Sequence, residues 1–212
     1  MLFSLFTALL CMSTQCRKET IDYTYSFIEK VNLSPALKSY KVGDTIWLQY
    51  ANPDKKLLDN QTKQKILADT ISISFQVSFN RRYNAPVNPT GGFCDFVTIS
   101  GVKVGRYLSA NGTGYSMNFG CGGSNNYDFT VGLVLKEKGI YSLDLGTNPQ
   151  SISSCSNRIS GFPFSTIEYR FDIADGNKDI YLSIPPYSRV ESPKGDTERR
   201  IDDKQVFIVN VE

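Results

Sequence analysis

The sequence predicts an all-β chain folded as an elaborated antiparallel β-sandwich, and three observations predict it. Segments of alternating apolar and polar residues recur along the chain, Gly, Pro and Asn punctuate them, and no amphipathic pattern runs longer than a turn or two of helix. The composition agrees: 13 Phe and 12 Tyr suit half-buried strands, and abundant Ser, Thr, Asn and Gly suit tight turns.

The clearest strand is "TISISFQVSF", in which Ile71, Ile73, Phe75, Val77 and Phe79 alternate with Thr70, Ser72, Ser74, Gln76 and Ser78. The segment "YDFTVGLVL" repeats the pattern with Tyr127, Phe129, Val131, Leu133 and Leu135. "EKGIYSLDL" follows across a charged turn with Gly139, so the two read as a hairpin. A second hairpin is expected in "IEYRFDIADGNKDIYLSI", where Ile167, Tyr169, Phe171 and Ile173 lead to an Asp175-Gly176 turn and Ile180, Leu182 and Ile184 return.

Further strands are expected in "DYTYSFIEKV", "DTIWLQY", "FCDFVTI" and "QVFIVNV". Helix is expected at most over residues 54–67 or 196–204, both too polar to form a core. Strands without βαβ alternation argue for a sandwich, and with no internal repeat or dividing linker, residues 22–212 read as one domain.

The N-terminus supplies an address. Residues 1–10 hold eight apolar side chains and no charge, and Cys11 and Met12 extend the run to the length of a secretory h-region. A membrane span needs roughly 20 apolar residues, which this run does not reach. Polar "STQ" leads to Cys16 and then "RKET", which resembles the signal of a bacterial lipoprotein, and the start "CRKE" is similar to many from Bacteroidetes. The resemblance implies a signal peptide over residues 1–15, a lipidated Cys16 and a tether over residues 16–21. It further implies a cell-envelope protein held to the membrane by its lipid, at the outer membrane rather than the inner, because Arg17 stands where inner-membrane retention favours Asp. A secreted, unlipidated protein of the same fold is the alternative.

Inside the mature chain, "SYKVGDTIWLQY", "LLDNQT" and "KGIYSLDL" resemble segments of a group of Bacteroidetes lipoproteins with immunoglobulin-like β-sandwiches and no established activity. Two "DTI" tripeptides, at 44–46 and 69–71, resemble the Asp-Thr-aliphatic acceptor for O-glycosylation of exported proteins of that lineage. This implies glycans on Thr45 and Thr70, against the plainer reading of Asp-Thr as a strand start.

An exported chain can form disulfides, and Cys94, Cys121 and Cys155 remain once the signal is removed and Cys16 carries lipid. Cys121 and Cys155 lie in Gly/Asn-rich and Ser-rich loops, whereas Cys94 sits in the apolar "FCDFV". A Cys121–Cys155 bridge is therefore expected, with Cys94–Cys121 as its rival.

Several function classes are excluded outright. The formal net charge of +2 comes from 23 basic and 21 acidic residues spread along the chain, which leaves no footprint for nucleic acid. The densest charged stretch, residues 189–205, balances five basic against five acidic side chains and reads as a solvated excursion. The absence of histidine removes Ser-His-Asp and Cys-His catalysis and His-ligated zinc. "DIADGNKD" offers Asp172, Asp175, Asn177 and Asp179 without the spacing of a calcium loop, so no metal and no cofactor is expected.

The Gly- and Asn-rich stretch over residues 109–128 reads as a long rim loop without a serine-hydrolase or phosphate-binding motif. Trp47, Tyr107, Tyr115 and Tyr127 either fill the core or stack on sugar rings. The function expected is a non-catalytic binding or structural module with an envelope protein or glycan as ligand. A carboxylate-dependent enzyme acting on envelope polymers or glycans is the alternative from another class, and it requires two carboxyl groups in one concave site.

Overall fold

The computed structural model describes residues 25–68, 71–86, 92–100, 103–109, 111–120, 127–146, 152–154, 166–190 and 196–212. In chain order the strands are β1 Ser26–Ser34, β2 Ser39–Tyr40, β3 Thr45–Ala51, β4 Lys56–Leu58, β5 Lys65–Leu67, β6 Ile71–Tyr83 and β7 Cys94–Ser100. They continue as β8 Lys103–Ser109, β9 Gly112–Gly120, β10 Asp128–Leu135, β11 Gly139–Gly146, β12 Ile152–Ser154, β13 Thr166–Phe171 and β14 Val206–Val211. Two short helices, α1 Lys178–Ser183 and α2 Thr197–Asp202, flank a 3-10 turn at Pro186–Ser188. Among the described residues no helix is long and apolar enough to cross a membrane.

A five-stranded sheet runs β13-β1-β3-β10-β7, and a seven-stranded sheet runs β2-β14-β11-β6-β9-β8 with β12 extending the ladder along β6. The strand alternation places one stripe of each sheet between them, so the expected β-sandwich is what forms. Phe75 of β6 meets Phe129 of β10 and Tyr169 of β13, both at 4.8 Å between ring centroids, and Phe96 of β7 stacks on Tyr115 of β9 at 4.2 Å. Such aromatic pairs across the gap each contribute about 1 kcal/mol beyond the area they bury. Among the described residues most pairings are antiparallel, and two are parallel: β1 with β13 and β14 with β2.

Five expectations are corrected. β10 and β11 do not form a hairpin, because β10 pairs β3 and β7 whereas β11 pairs β14 and β6. The turn between them carries the chain from one sheet to the other, with Gly139 at φ 140°, in the region open to glycine. Alternation identifies a strand and its buried face without naming its partner. Residues 54–67 hold no helix; β4 and β5 pair as a small antiparallel hairpin against β1, with Leu57 buried.

The segment after Gly176 is a helix and not a returning strand. Ile180, Tyr181 and Ile184 sit one and four residues apart, a helical spacing, and they pack together while Leu182 is exposed. The glycine-rich stretch is not a rim loop over its first part: residues 112–120 form β9, paired with β6 on one side and β8 on the other.

The charged excursion over residues 189–205 is also less solvated than its composition suggests. It contributes α2, which buries Ile201 and Arg200, so the helical expectation over 196–204 holds with a packed face. Together α1 and α2 pack on the outer face of the seven-stranded sheet over β14. This explains why "VFIV" in β14 is buried on both sides: Val206 and Ile208 face the helices, and Phe207 and Val209 face the sandwich core.

Candidate functional site

The helices pack over β14 on one outer face of the sandwich. Across the middle of the other, on the five-stranded sheet, β1, β3 and β10 lie in register, and their outward residues form transverse rows. Asn32, Gln49 and Thr130 make one row; Ser34, Trp47, Gly132 and, on β7, Val97 make the next. Lys30 on β1 and Asp128 beside Ala51 lie beyond the first row, and Asp172 follows the end of β13.

Lys30, Asn32, Gln49, Asp128, Thr130 and Asp172 line a concavity of about 430 Å³. Tyr50 and Phe129 also border it, but their rings are buried in the core, so what they offer the groove is backbone. Lys30 Nζ lies 3.0 Å from Asp172 Oδ1, with both side chains exposed. Asn32 Nδ2 donates to Gln49 Oε1 at 3.4 Å, so Asn32 Oδ1 and Gln49 Nε2 keep hydrogen-bonding capacity. One lysine against two aspartates gives the groove a formal charge of −1, and amides and a hydroxyl supply the rest of its polarity.

The floor is rigid. Tyr50 and Phe129 stack at 5.6 Å, and Phe75 and Tyr169 close the layer beneath them. Tyr50 donates its hydroxyl to Glu29 Oε2 at 3.0 Å, and Glu29 points inward between Phe27 and Val31. Burial pushes the Glu29 carboxyl above its ordinary value, opposed by the hydrogen bonds from Tyr50 and the Leu58 amide. Burial likewise raises the Tyr50 and Tyr169 hydroxyls, and Tyr169 Oη is buried with no hydrogen-bond partner among the described residues.

Trp47 borders the groove two residues along β3 from Gln49 on the same face, and it is half-buried. A Cβ at Gly132 would stand 2.8 Å from Trp47 Cζ3 and 2.8 Å from Thr45 Cγ2, so the glycine is the seat on which the indole rests. A glycine inside a strand pattern is the sequence signal for such a close approach. Asn32, Gln49, Asp128 and Thr130 carried no signal beyond being polar positions on alternating strands.

The residues singled out from sequence fall in several places. Thr45 opens β3, half-buried, while Asp44 accepts the Lys41 amide at 2.7 Å and so closes the turn before the strand. Cys94 opens β7 as a free thiol, fully buried, and burial pushes it up to about 12. Cys16, Thr70, Cys121, Cys155, the signal peptide and the tether lie outside the described residues. Tyr115 packs in the core, Tyr127 is buried and donates to the Ala68 carbonyl, and Tyr107 lies on β8. The acidic residues of "DIADGNKD" disperse: Asp172 pairs Lys30, Asp179 pairs Lys38, and Asn177 Nδ2 donates to the Leu37 and Ile208 carbonyls.

No family model and no curated protein matches the chain. Among solved structures, a cohesin module from a family 33 glycoside hydrolase of Clostridium perfringens is similar over 69% of this chain and 99% of the module, at 12% identity and a TM-score of 0.31. That likeness concerns the β-sandwich fold alone.

Proposed function

We propose that this protein is a cell-envelope lipoprotein of the Bacteroidetes type whose β-sandwich serves as a non-catalytic binding or structural module. The observation that carries the binding part is the groove on the face opposite the helices, a polar concavity on the outer face of the sheet with aromatic core packing beneath it. The envelope part rests on the N-terminal sequence: a signal over residues 1–15, a lipid on Cys16, a tether over 16–21, and the outer membrane as destination. A Cys121–Cys155 disulfide and O-glycans on Thr45 and Thr70 complete this reading, and buried Cys94 supports leaving the other two cysteines to each other.

Intact mass and N-terminal peptide mapping of protein extracted from its native membranes test the reading. A diacyl or triacyl increment on a chain beginning at Cys16 is expected. A mature chain that is unlipidated or begins elsewhere overturns the anchor.

A second reading has one observation in its favour. Asp128 and Asp172 both line the groove, and a pair of carboxylates in a concave site is what a carboxylate-dependent glycosidase requires. Release of reducing ends from envelope glycans by the purified protein, lost in Asp128→Asn, would establish the enzyme and remove the non-catalytic module.

A further inference from the structure

We propose that the groove and the adjoining Trp47 form a saccharide site, in which Asn32, Gln49, Asp128 and Thr130 hydrogen-bond the hydroxyls of a neutral glycan and the indole packs against a sugar ring. This deepens the reading of the chain as a binding module and rests on it. The argument is one of chemistry and layout. Pyranose rings present vicinal hydroxyls at their rims and patches of C–H on their faces. Planar amide and carboxylate groups match the first, and an aromatic ring matches the second.

Both kinds of group occur here on one surface, in adjacent transverse rows of the same three strands. Strands in register lie about 4.8 Å apart, and alternate residues along a strand about 7 Å apart, so the polar row and the indole lie within reach of one oligosaccharide. Other ligand classes fit worse. An anionic ligand would meet Asp128 and Asp172 against a lysine already paired with one of them. An apolar ligand would leave the amides and carboxylates desolvated without partners.

Gly132 adds an element that core packing does not require. It lies on the outward face, and its lack of a side chain lets the indole settle across β10 instead of standing out into solvent. Two residues away along β3 is Gln49, so the ring is held beside the polar row.

Trp47 is the sole tryptophan of the chain, so its emission reports on this face alone. The test is titration of the purified protein with cellohexaose, maltohexaose, laminarihexaose and chitohexaose, followed by Trp47 fluorescence and calorimetry, and backed by a glycan array. A saturable change with at least one of them is expected. The Asn32→Ala/Gln49→Ala pair should weaken that ligand by roughly tenfold or more, as the loss of two hydrogen bonds implies. Gly132→Ala, which keeps Trp47 but unseats it, should also weaken binding and shift the emission of the free protein. Tyr187→Ala, in the 3-10 turn on the helical side and 91% exposed, should leave binding unchanged.

Circular dichroism of each variant separates lost binding from lost fold. Absence of binding to the four oligosaccharides and the array, or undiminished affinity in a folded Asn32→Ala/Gln49→Ala protein, overturns the saccharide site. The lipid analysis is independent of both outcomes, so the envelope reading can stand while this one falls.

Discussion

Arg200 of α2 and Asp144 of β11 form a buried ion pair, Nη1 to Oδ1 at 2.9 Å, that fixes the helical excursion to the outer face of the seven-stranded sheet. Arg82 of β6 approaches the other carboxylate oxygen at 3.4 Å, and Asn80 and Ser142 donate to it at 2.8 and 2.5 Å. Two guanidinium groups thus share one carboxylate. Removing the shared acceptor strands both cations, and breaking such a buried pair costs about 3–5 kcal/mol. Removing Arg200 leaves a balanced Arg82–Asp144 pair. Asp144→Ala should therefore destabilise more than Arg200→Met, and urea denaturation of the two variants gives the order. The reverse order would mean that Arg200 matters through packing and not through its charge.

Glu29 gives the protein a pH dependence of definite sign. Its carboxyl is raised above 4.5, chiefly by burial. A raised carboxyl contributes stability that is complete below the unfolded value and lost as pH rises through the folded one. Glu29→Gln removes this contribution. The variant should compare more favourably with the wild type at neutral pH than at about pH 3, well below the ordinary glutamate value, where Glu29 is protonated in both folded and unfolded chains. Paired denaturation curves at the two pH values decide it, and a difference that does not change with pH sinks the assignment.

Asp59, fully buried, ties the turn before β5 to the start of β1. Its Oδ1 accepts the Ser26 amide at 3.0 Å, and its Oδ2 accepts the Thr62 amide at 2.8 Å and the Thr62 hydroxyl at 2.6 Å. Asp59→Ala should destabilise by about 2–3 kcal/mol, the scale of lost hydrogen bonds to a charged acceptor. Asp59→Asn keeps an acceptor and should recover part of that loss.

Cys94 should be unreactive in the folded protein. The thiolate is the reactive form, and a thiol raised to about 12 by burial supplies almost none near neutrality. Alkylation at neutral pH followed by peptide mapping should leave the Cys94 peptide unmodified until denaturant is added. Rapid labelling without denaturant would contradict the buried environment at the head of β7.

The most legible elements in the sequence are those whose pattern is set by a single buried face. Alternation locates β6, β10 and β13 because one side of each meets the sandwich core, whereas β14, buried on both sides, is legible only as a short apolar run. Alternation is silent on partners, and β10 and β11, adjacent in sequence, join different sheets. It also misread the segment after Gly176, where Ile180, Leu182 and Ile184 fit a strand while Ile180, Tyr181 and Ile184 fit a helix. Packing against β14 selected the helix. β9 was hidden because its glycines look like loop, whereas Gly112 lies tight against β6, with a Cβ there only 2.1 Å from Asn80 Oδ1. The groove was the least legible feature. Its polar residues come from separate segments, and only the pairing of β1, β3 and β10 brings them into one row.

The parallel pairing of β1 with β13 has a mechanical meaning. β1 is bonded to β13 on one side and to β3 on the other, so a pull directed along the strand loads its hydrogen bonds in shear. The bonds then share the load and yield together, instead of opening one after another as they do when an end strand is peeled from its neighbour. A domain hung from the membrane by the segment ahead of β1 would resist tension in that direction at its point of attachment, leaving the groove its shape while whatever it holds is pulled.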